Sequence, residues 1–421
     1  MMPNYFRTEF DKVVNREYFS NKANPIRKKA FDSFIEKGLP NKKWEDWQFT
    51  DLSAIKNCEF RISEIDDTPK EKIELSKFGF ENFNSIVIYN GHYQKDISSV
   101  PEGVRLLSNL EYMEQCDWSI HQPNMSSFDL LNTAFMDSGI CLVIEKGIQI
   151  DIPLRILFIS SGDNQIMVTP RVHIDVEESS SLFLVEQHGG DCNEYLFNES
   201  MIINIEDNAK LNHVRIQNNS KNTINIGNLH VKQKNDSSYS FTNFAFGGAL
   251  ARLNLYADLF GKNACSTLNG LSLSDNKQHL DSHIVTSHHA SHCISSQNFK
   301  SVLKDRSSGV FNGRSIVQHG AEKTDSSQSN KNLLLSSQAI MNSNPQLEIY
   351  TDDVKCSHGS TTGELDPDAL FYIRSRGVDQ QSARALMVGG FASEIIENLN
   401  NIEIKNYVRK FFDDWITKTS L

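Results

Sequence analysis

The feature that most constrains this chain is an alternation of apolar and polar residues with period two. It recurs in short runs from residue 81 to 365: "SIVIYNG", "GICLVIEKGIQID", "LRILFIS", "RVHIDVEESSSLFLVEQ", "SMIINIEDNAKLNHVRIQ" and "TINIGNLHVKQ". Such runs place side chains on the two faces of an extended backbone, which predicts strands. Asn, Ser, Asp and Gly gather at the breaks, as tight turns require. No strong helical period crosses this zone. A sandwich or simple barrel rarely extends so far, so a stacked architecture is predicted. The sequence has no strict repeat, and the solenoid reading rests on length and strand density.

The flanks read differently. Residues 1–80 are rich in Lys, Glu, Asp and Phe. In "NPIRKKAFDSFIEKGLP", Ile26, Ala30, Phe31 and Phe34 recur at helical spacing, and Gly38 and Pro40 are stop signals. "KKWEDWQFTDL" then brings Trp44, Trp47 and Phe49 together, as in the core of a small helical domain. Residues 366–421 are helical again. Asp366 suits an N-cap, Pro367 the first helical position and Gly377 the stop. Asp379 caps "QQSARALMVGGFASEIIENL", where Ala383, Leu386, Met387, Phe391 and Ile395 share a stripe. The last helix, "IKNYVRKFFDDWITK", carries Tyr407, Phe411, Phe412, Trp415 and Ile416. These aromatic side chains either cover the solenoid or bind a partner. The reading is thus three domains: helical 1–80, β 81–365, helical 366–421.

Composition excludes several classes. Hydrophobic content of 39% and charged content of 23% fit a folded, soluble chain. A formal net charge of −11 repels phosphate backbones and argues against nucleic acid. The seven cysteines, Cys58, Cys116, Cys141, Cys192, Cys265, Cys293 and Cys356, form no CxxC pair. Zinc ribbons, redox dithiols and ferredoxin-type ligand runs need closer spacing. Dispersed thiols suggest a reducing compartment. With no signal-peptide core and no apolar run long enough to span a bilayer, a cytoplasmic protein is expected.

Phosphate and nucleophile motifs are missing: the sequence has no GxxxxGK[ST], no GxGxxG opening a helix and no GxSxG. Two candidates for chemistry remain. "DNKQHLDSHIVTSHHASHC" offers His279, His283, His288, His289, His292 and Cys293, and HHxxH invites a zinc reading. In a strand, His288 and His292 share one face while His289 points away. A metal-dependent hydrolase or lyase using His288 and His292 is the enzyme alternative. Ordinary polar strand faces are the plainer one.

The second candidate is "DVKCSHG". Cys356 and His358 are two residues apart, so on a strand they point the same way. Both are competent ligands for iron or softer metals. Lys355 and His358 are expected to lower the thiol pKa. The plain alternative is a small buried thiol and a structural imidazole.

The run "NLLLSSQAIMNSNPQLEIYTDDVKCSHGSTTGELDPDALFYIRSRGV" resembles the signature of the SufB/SufD family of iron–sulfur cluster assembly proteins. The likeness extends upstream through "LNGLSLSDNKQHLDSHIVTSHHASHCISSQNFKSVLKDRSSGVFNGRSIVQHGAEKTDSSQSN" and downstream through "ARALMVGGFASEII". "LPNKKWEDWQFTDLSAI" is similar to the start of SufD-type chains. Asn330 stands where SufB-type chains carry a cysteine, and Ser357-His358-Gly359 where they carry a His-Glu pair, so the resemblance is to the SufD side.

That resemblance implies a right-handed parallel β-helix with helical domains at both ends. It implies a non-enzymatic scaffold in a SufB–SufC–SufD complex, with ATP hydrolysis in SufC. SufB pairs through the β-helix, and SufC binds the C-terminal helices, with Phe411, Phe412 and Trp415 as anchors. A homodimer is expected when the chain is alone. A nascent iron–sulfur cluster is shared with SufB at His358, as ligand or relay, with Cys356 as a supporting thiol. Reduced flavin is associated with such complexes, although this sequence has no flavin motif.

Overall fold

The computed structural model describes residues 4–15, 23–64, 73–109, 111–112, 125–136, 139–162, 165–190 and 194–418. Cys116 and Cys192 lie outside the described residues.

The chain is a β-solenoid of about eight turns with helices at both ends. Each turn contributes one strand to each of two facing sheets. One sheet, of 11 strands, ends on Ile340–Ile349, and the other, of 10, ends on Lys355–Gly363. Strands of successive turns pair in parallel and in register, while Asn84–Tyr89 with His92–Tyr93 and Val104–Ser108 with Gly139–Ile144 pair antiparallel. Leu250 lies beside His279, and His279 beside Ser308. The length of a turn drifts along the chain: the step from Ile224 to Leu250 is shorter than the step from Ser308 to Ile340. That drift hides the repeat from sequence comparison.

The corners explain the Asn- and Asp-rich breaks. Ser179, Asn208, Asp236, Asn263, His292, Lys323 and Asp353 all take positive φ, between 56° and 62°. They stack along one edge. The amide of Asn208 donates to Asn235 O, that of Asp236 to Lys262 O, and that of His292 to Glu322 O. Asn and Asp tolerate this left-handed conformation better than other non-glycine residues.

Inward-facing positions of both sheets build one continuous apolar core, which includes Ile86, Ile156, Phe158, Ile174, Leu184, Phe197, Ile203, Leu255, Phe299 and Phe311. Alternate positions face outward and are covered differently on the two sheets. On one, Ile224, Ile226 and Leu250 meet Phe6, Phe31, Phe34 and Trp47 of the N-terminal segment. Trp47 also stacks on Arg252, whose guanidinium lies 3.6 Å from the ring centre. On the other, Val214, Leu271, Leu273 and Val302 meet the C-terminal helices.

Asp366 and Asp379 cap the helices Pro367–Ser375 and Gln380–Glu397 through their side chains. The buried face of the second helix is Ala383, Val388, Ala392, Ile395 and Ile396, whereas Leu386 of the expected stripe is exposed. The helix Ser127–Phe135 interrupts the β zone, closed at its start by a capping box between Ser126 and Asp129. All nine of its residues are buried, and its polar stripe of Asp129, Asn132 and Thr133 faces protein rather than solvent. No helix among the described residues is long and apolar enough to cross a membrane.

Candidate functional site

The strand Lys355–Gly363 follows the Asp353 corner and is the last of its sheet. Its register sets Cys356 beside Ser326, His358 beside Gln328, Ser360 beside Asn330 and Thr362 beside Asn332. Ser326, Gln328, Asn330 and Asn332 are buried. Cys356, His358, Ser360 and Thr362 continue their column on a coil that no further coil covers among the described residues. Cys356 is half-buried, and the other three are exposed. Residues two apart on a strand are separated by about 6.6 Å. A thiol and an imidazole at that spacing can both reach one group placed over the open end.

The open end is braced from below. Asn330 is buried and donates from Nδ2 to Phe299 O at 3.1 Å. Its Oδ1 accepts from Asn332 Nδ2 (2.6 Å), Ser343 Oγ (2.7 Å) and Ser360 Oγ (3.4 Å). Ser343 and Ser360 are themselves 2.7 Å apart and join the last strands of the two sheets. One amide therefore ties the terminal coil to the two coils beneath it.

The Cys356 thiol is not activated as expected. Burial and the nearby Asp325 carboxylate push its pKa up, so Lys355 and His358 do not make it a standing thiolate. It is a ligand only where a bound metal displaces its proton.

The histidine run does not converge. The strand His279–His288 ends at His288, and His292 lies in the following corner at φ 62°. The two therefore share no strand face, contrary to the alternation, because the corner needs a left-handed residue there. His279 Nε2 meets Thr50 Oγ1 at 3.0 Å, and His283 Nε2 lies 3.2 Å from Asp281 Oδ1. His289 bonds Asp258 at 3.0 Å and stacks on Phe260. His288 points inward to Ser295 Oγ at 2.9 Å. Among the described residues, none of these histidines belongs to a cluster able to hold a metal ion.

The C-terminal aromatics divide by exposure. Phe412 and Trp415 are buried against the solenoid, with Phe411 partly buried beside them. Phe371, Tyr372, Leu386 and Ile402 project outward, Phe371 with 74% of its surface exposed.

Family comparisons fit this architecture. Residues 4–156 match the SufBD protein N-terminal region. Residues 158–391 match the SUF system FeS cluster assembly SufBD core domain, more than half of the chain. The chain belongs to the SufBD family. It is 28% identical over 394 residues to the iron–sulfur cluster assembly protein SufD of Escherichia coli, covering 92% of each chain. It is 29% identical over 413 residues to an iron–sulfur cluster assembly SufBD family protein of Synechocystis, covering 91% of this chain and 89% of that one. Protein ABCI7, chloroplastic, of Arabidopsis thaliana is 29% identical over 404 residues, covering 91% and 84%.

Sequence reading missed a second polar constellation, which lies inside the SufBD core: Glu186, His188, Glu199, His213 and Arg215, all buried. The signal was present in "SLFLVEQHGG". Leu182 and Leu184 set the inward parity, and Glu186 and His188 continue it.

Proposed function

We propose that the chain is a SufD-like scaffold for iron–sulfur cluster assembly and that the open terminal coil is its working surface. The observation that carries this reading is the exposed inward column Cys356–His358–Ser360–Thr362 on a coil with no cap. Solenoids normally need a polar terminal repeat to end their stack. Here both terminal strands leave one edge unpaired, and Ile340 and Ile349 are 58% and 42% exposed beside them. Unpaired edges are templates for strands of another chain.

The partner at this end is a SufB-type β-helix. Its own terminal coil closes the gap and supplies the thiolate that Asn330 does not. The nascent cluster is the cargo, and His358, with Cys356 beside it, is this chain's contribution to holding iron. A SufC-type ATPase docks on the outward side of the C-terminal helices, at Phe371, Tyr372, Leu386 and Ile402. Phe411, Phe412 and Trp415 act indirectly, by fixing those helices to the solenoid. The setting is cytoplasmic, in keeping with the free thiols of Cys58, Cys265, Cys293 and Cys356.

His358→Ala in the assembled three-protein complex tests the reading. Complex formation should be unchanged while cluster yield, read from its visible absorbance, falls severalfold. A normal yield from a normally assembled complex would exclude His358 as ligand or relay.

A further inference from the structure

We propose that Glu186, His188 and Glu199 form a buried site for one divalent cation of the Fe2+, Mn2+ or Zn2+ class, independent of the terminal coil. One ligand atom from each residue lies within 4.8 Å of the others. Metal–ligand bonds of about 2.0–2.2 Å to His nitrogen and carboxylate oxygen fit within that triangle. One imidazole and two carboxylates suit these metals.

The three residues come from adjoining inward positions. Glu186 and His188 lie on Ser181–Gly190, and Glu199 lies on the facing strand Tyr195–Ile205. Apolar rings enclose them: His188 is 5.0 Å from Phe158 and 5.1 Å from Phe197, centre to centre. Burying charge in such surroundings is costly unless it is compensated.

The compensation present is incomplete. Arg215 Nε donates to Glu186 Oε1 at 2.5 Å, and its terminal nitrogen donates to Glu199 Oε1 at 2.9 Å. One guanidinium thus faces two carboxylates, and with His188 and His213 neutral one negative charge is left over. His213 Nε2 meets Glu186 Oε2 at 3.1 Å, and His188 Nε2 is hydrogen-bonded to Glu186 Oε1. Glu199 Oε2 is different. It is buried, takes no hydrogen bond among the described residues, and faces His188 Nε2 at 3.5 Å. Both carboxylates are buried, so the leftover charge must be met by a proton or by a cation. A proton on Glu199 has to be shared with the neighbouring Glu186 carboxylate, whose oxygens already accept from Arg215 and face His188 and His213. A cation satisfies the orphaned oxygen and the leftover charge together. His188 Nδ1 has no partner among the described residues, so only what Nε2 faces sets the tautomer. The proton points to Glu186 in the metal-free chain, and the lone pair points to the cation in the loaded one.

The site is enclosed, so it loads as the chain folds. The full-length chain, without an affinity tag, is unfolded in urea and refolded with Co2+ or Zn2+. It is then desalted and its metal measured by mass spectrometry, with the Co2+ visible spectrum reporting nitrogen and oxygen ligation. The wild type should retain about one equivalent, as a single three-ligand site requires. Glu199→Gln, which keeps size and the Arg215 bond, and His188→Gln should retain none. The double variant Cys356→Ser, His358→Ala should retain as much as the wild type, which separates this site from the terminal coil. A wild type that refolds metal-free with both ions overturns the proposal and makes the counter-charge a proton. So does undiminished metal in Glu199→Gln, or its loss in the Cys356/His358 double variant. The wild-type measurement decides even where a variant does not refold.

Discussion

At its N-terminal end the solenoid is filled by Ile86, Ile140, Ile156, Phe158 and Ile174, and the pairing of Val104–Ser108 with Gly139–Ile144 turns antiparallel. At its C-terminal end the inward positions turn polar past Phe299 and Phe311, with Ser295, Gln297, Ser315, Ser326, Gln328, Asn330 and Asn332, and the last coil stands uncovered among the described residues. Apart from that antiparallel pairing, the backbone follows the same plan in both places, with parallel pairing between turns and left-handed corners. The inward residues are what change. Hydrophobic burial holds the first region together, at roughly 25 cal/mol per Å² of apolar surface. A hydrogen-bonded network holds the second. There Ser326 Oγ lies 2.9 Å from both Ser295 and Ser315, and Gln297 Nε2 is 3.0 Å from Thr286. Such a network is cheaper to expose than a Phe and can meet another polar surface. The coils held by apolar packing and the coils held by polar networks are therefore different ones.

The sharpest way to break this comparison is to truncate an inward or end-facing apolar residue in each region. Phe158→Ala should destabilise the chain by about 3–5 kcal/mol, because it empties a packed interior. Ile349→Ala, at the exposed end, should change stability by no more than about 0.5 kcal/mol. Urea unfolding of the isolated chain measures both. Equal losses would mean that the end is not open in solution.

The second comparison uses pH. His288 is buried where the apolar and polar interiors meet, and burial, with a smaller push from His289, lowers its pKa from 6.5 to about 4. The sign follows from which state takes the proton. Above pH 6.5 both states are neutral and the contribution is whole. As pH falls toward 4 the unfolded chain is protonated and the folded one resists, so stability drops. The full loss is on the order of 3 kcal/mol. His288→Gln, which can keep the bond to Ser295, should unfold with a shallower dependence on pH between 6.5 and 4. Parallel curves for variant and wild type would mean that water already reaches His288 from the open end. Water has reason to enter there, since Gln297 Oε1, Gln328 Oε1 and Asn332 Oδ1 take no hydrogen bond from the described residues.

These two regions were not equally legible in the sequence. Strands such as Leu154–Ser160 declare themselves, because alternating apolar residues leave few other conformations that bury them. The family run from residue 332 to 378 carried the candidate site, because Cys356 and His358 lie within it. The corner at His292 was hidden, since histidine does not announce a left-handed turn as Asn263 or Asp236 does. The buried Glu186–Arg215 group was hidden for another reason. Its members are scattered over successive strands and meet only because neighbouring turns align Glu186 with Arg215. Phe412 and Trp415 looked like partner anchors because a sequence shows aromatic stripes but not which surface covers them.

The smallest expected change in stability comes from a charge placed on the rim. Ile340 is 58% exposed on the last strand of its sheet, and the isolated chain gains little from it. Ile340→Lys should therefore leave the urea midpoint of the isolated chain nearly unmoved, a change within about 0.5 kcal/mol, as is usual for surface substitutions. In a complex that closes the open end, the same lysine would be desolvated without a counter-charge and would block strand addition at the edge. Co-purification with a SufB-type partner should fall sharply, while binding of a SufC-type ATPase to the C-terminal helices should persist. Loss of both would place the two partners on one surface. Retention of the SufB-type partner would move its contact away from the terminal coil, and the column from Cys356 to Thr362 would then need another reason to stand uncovered.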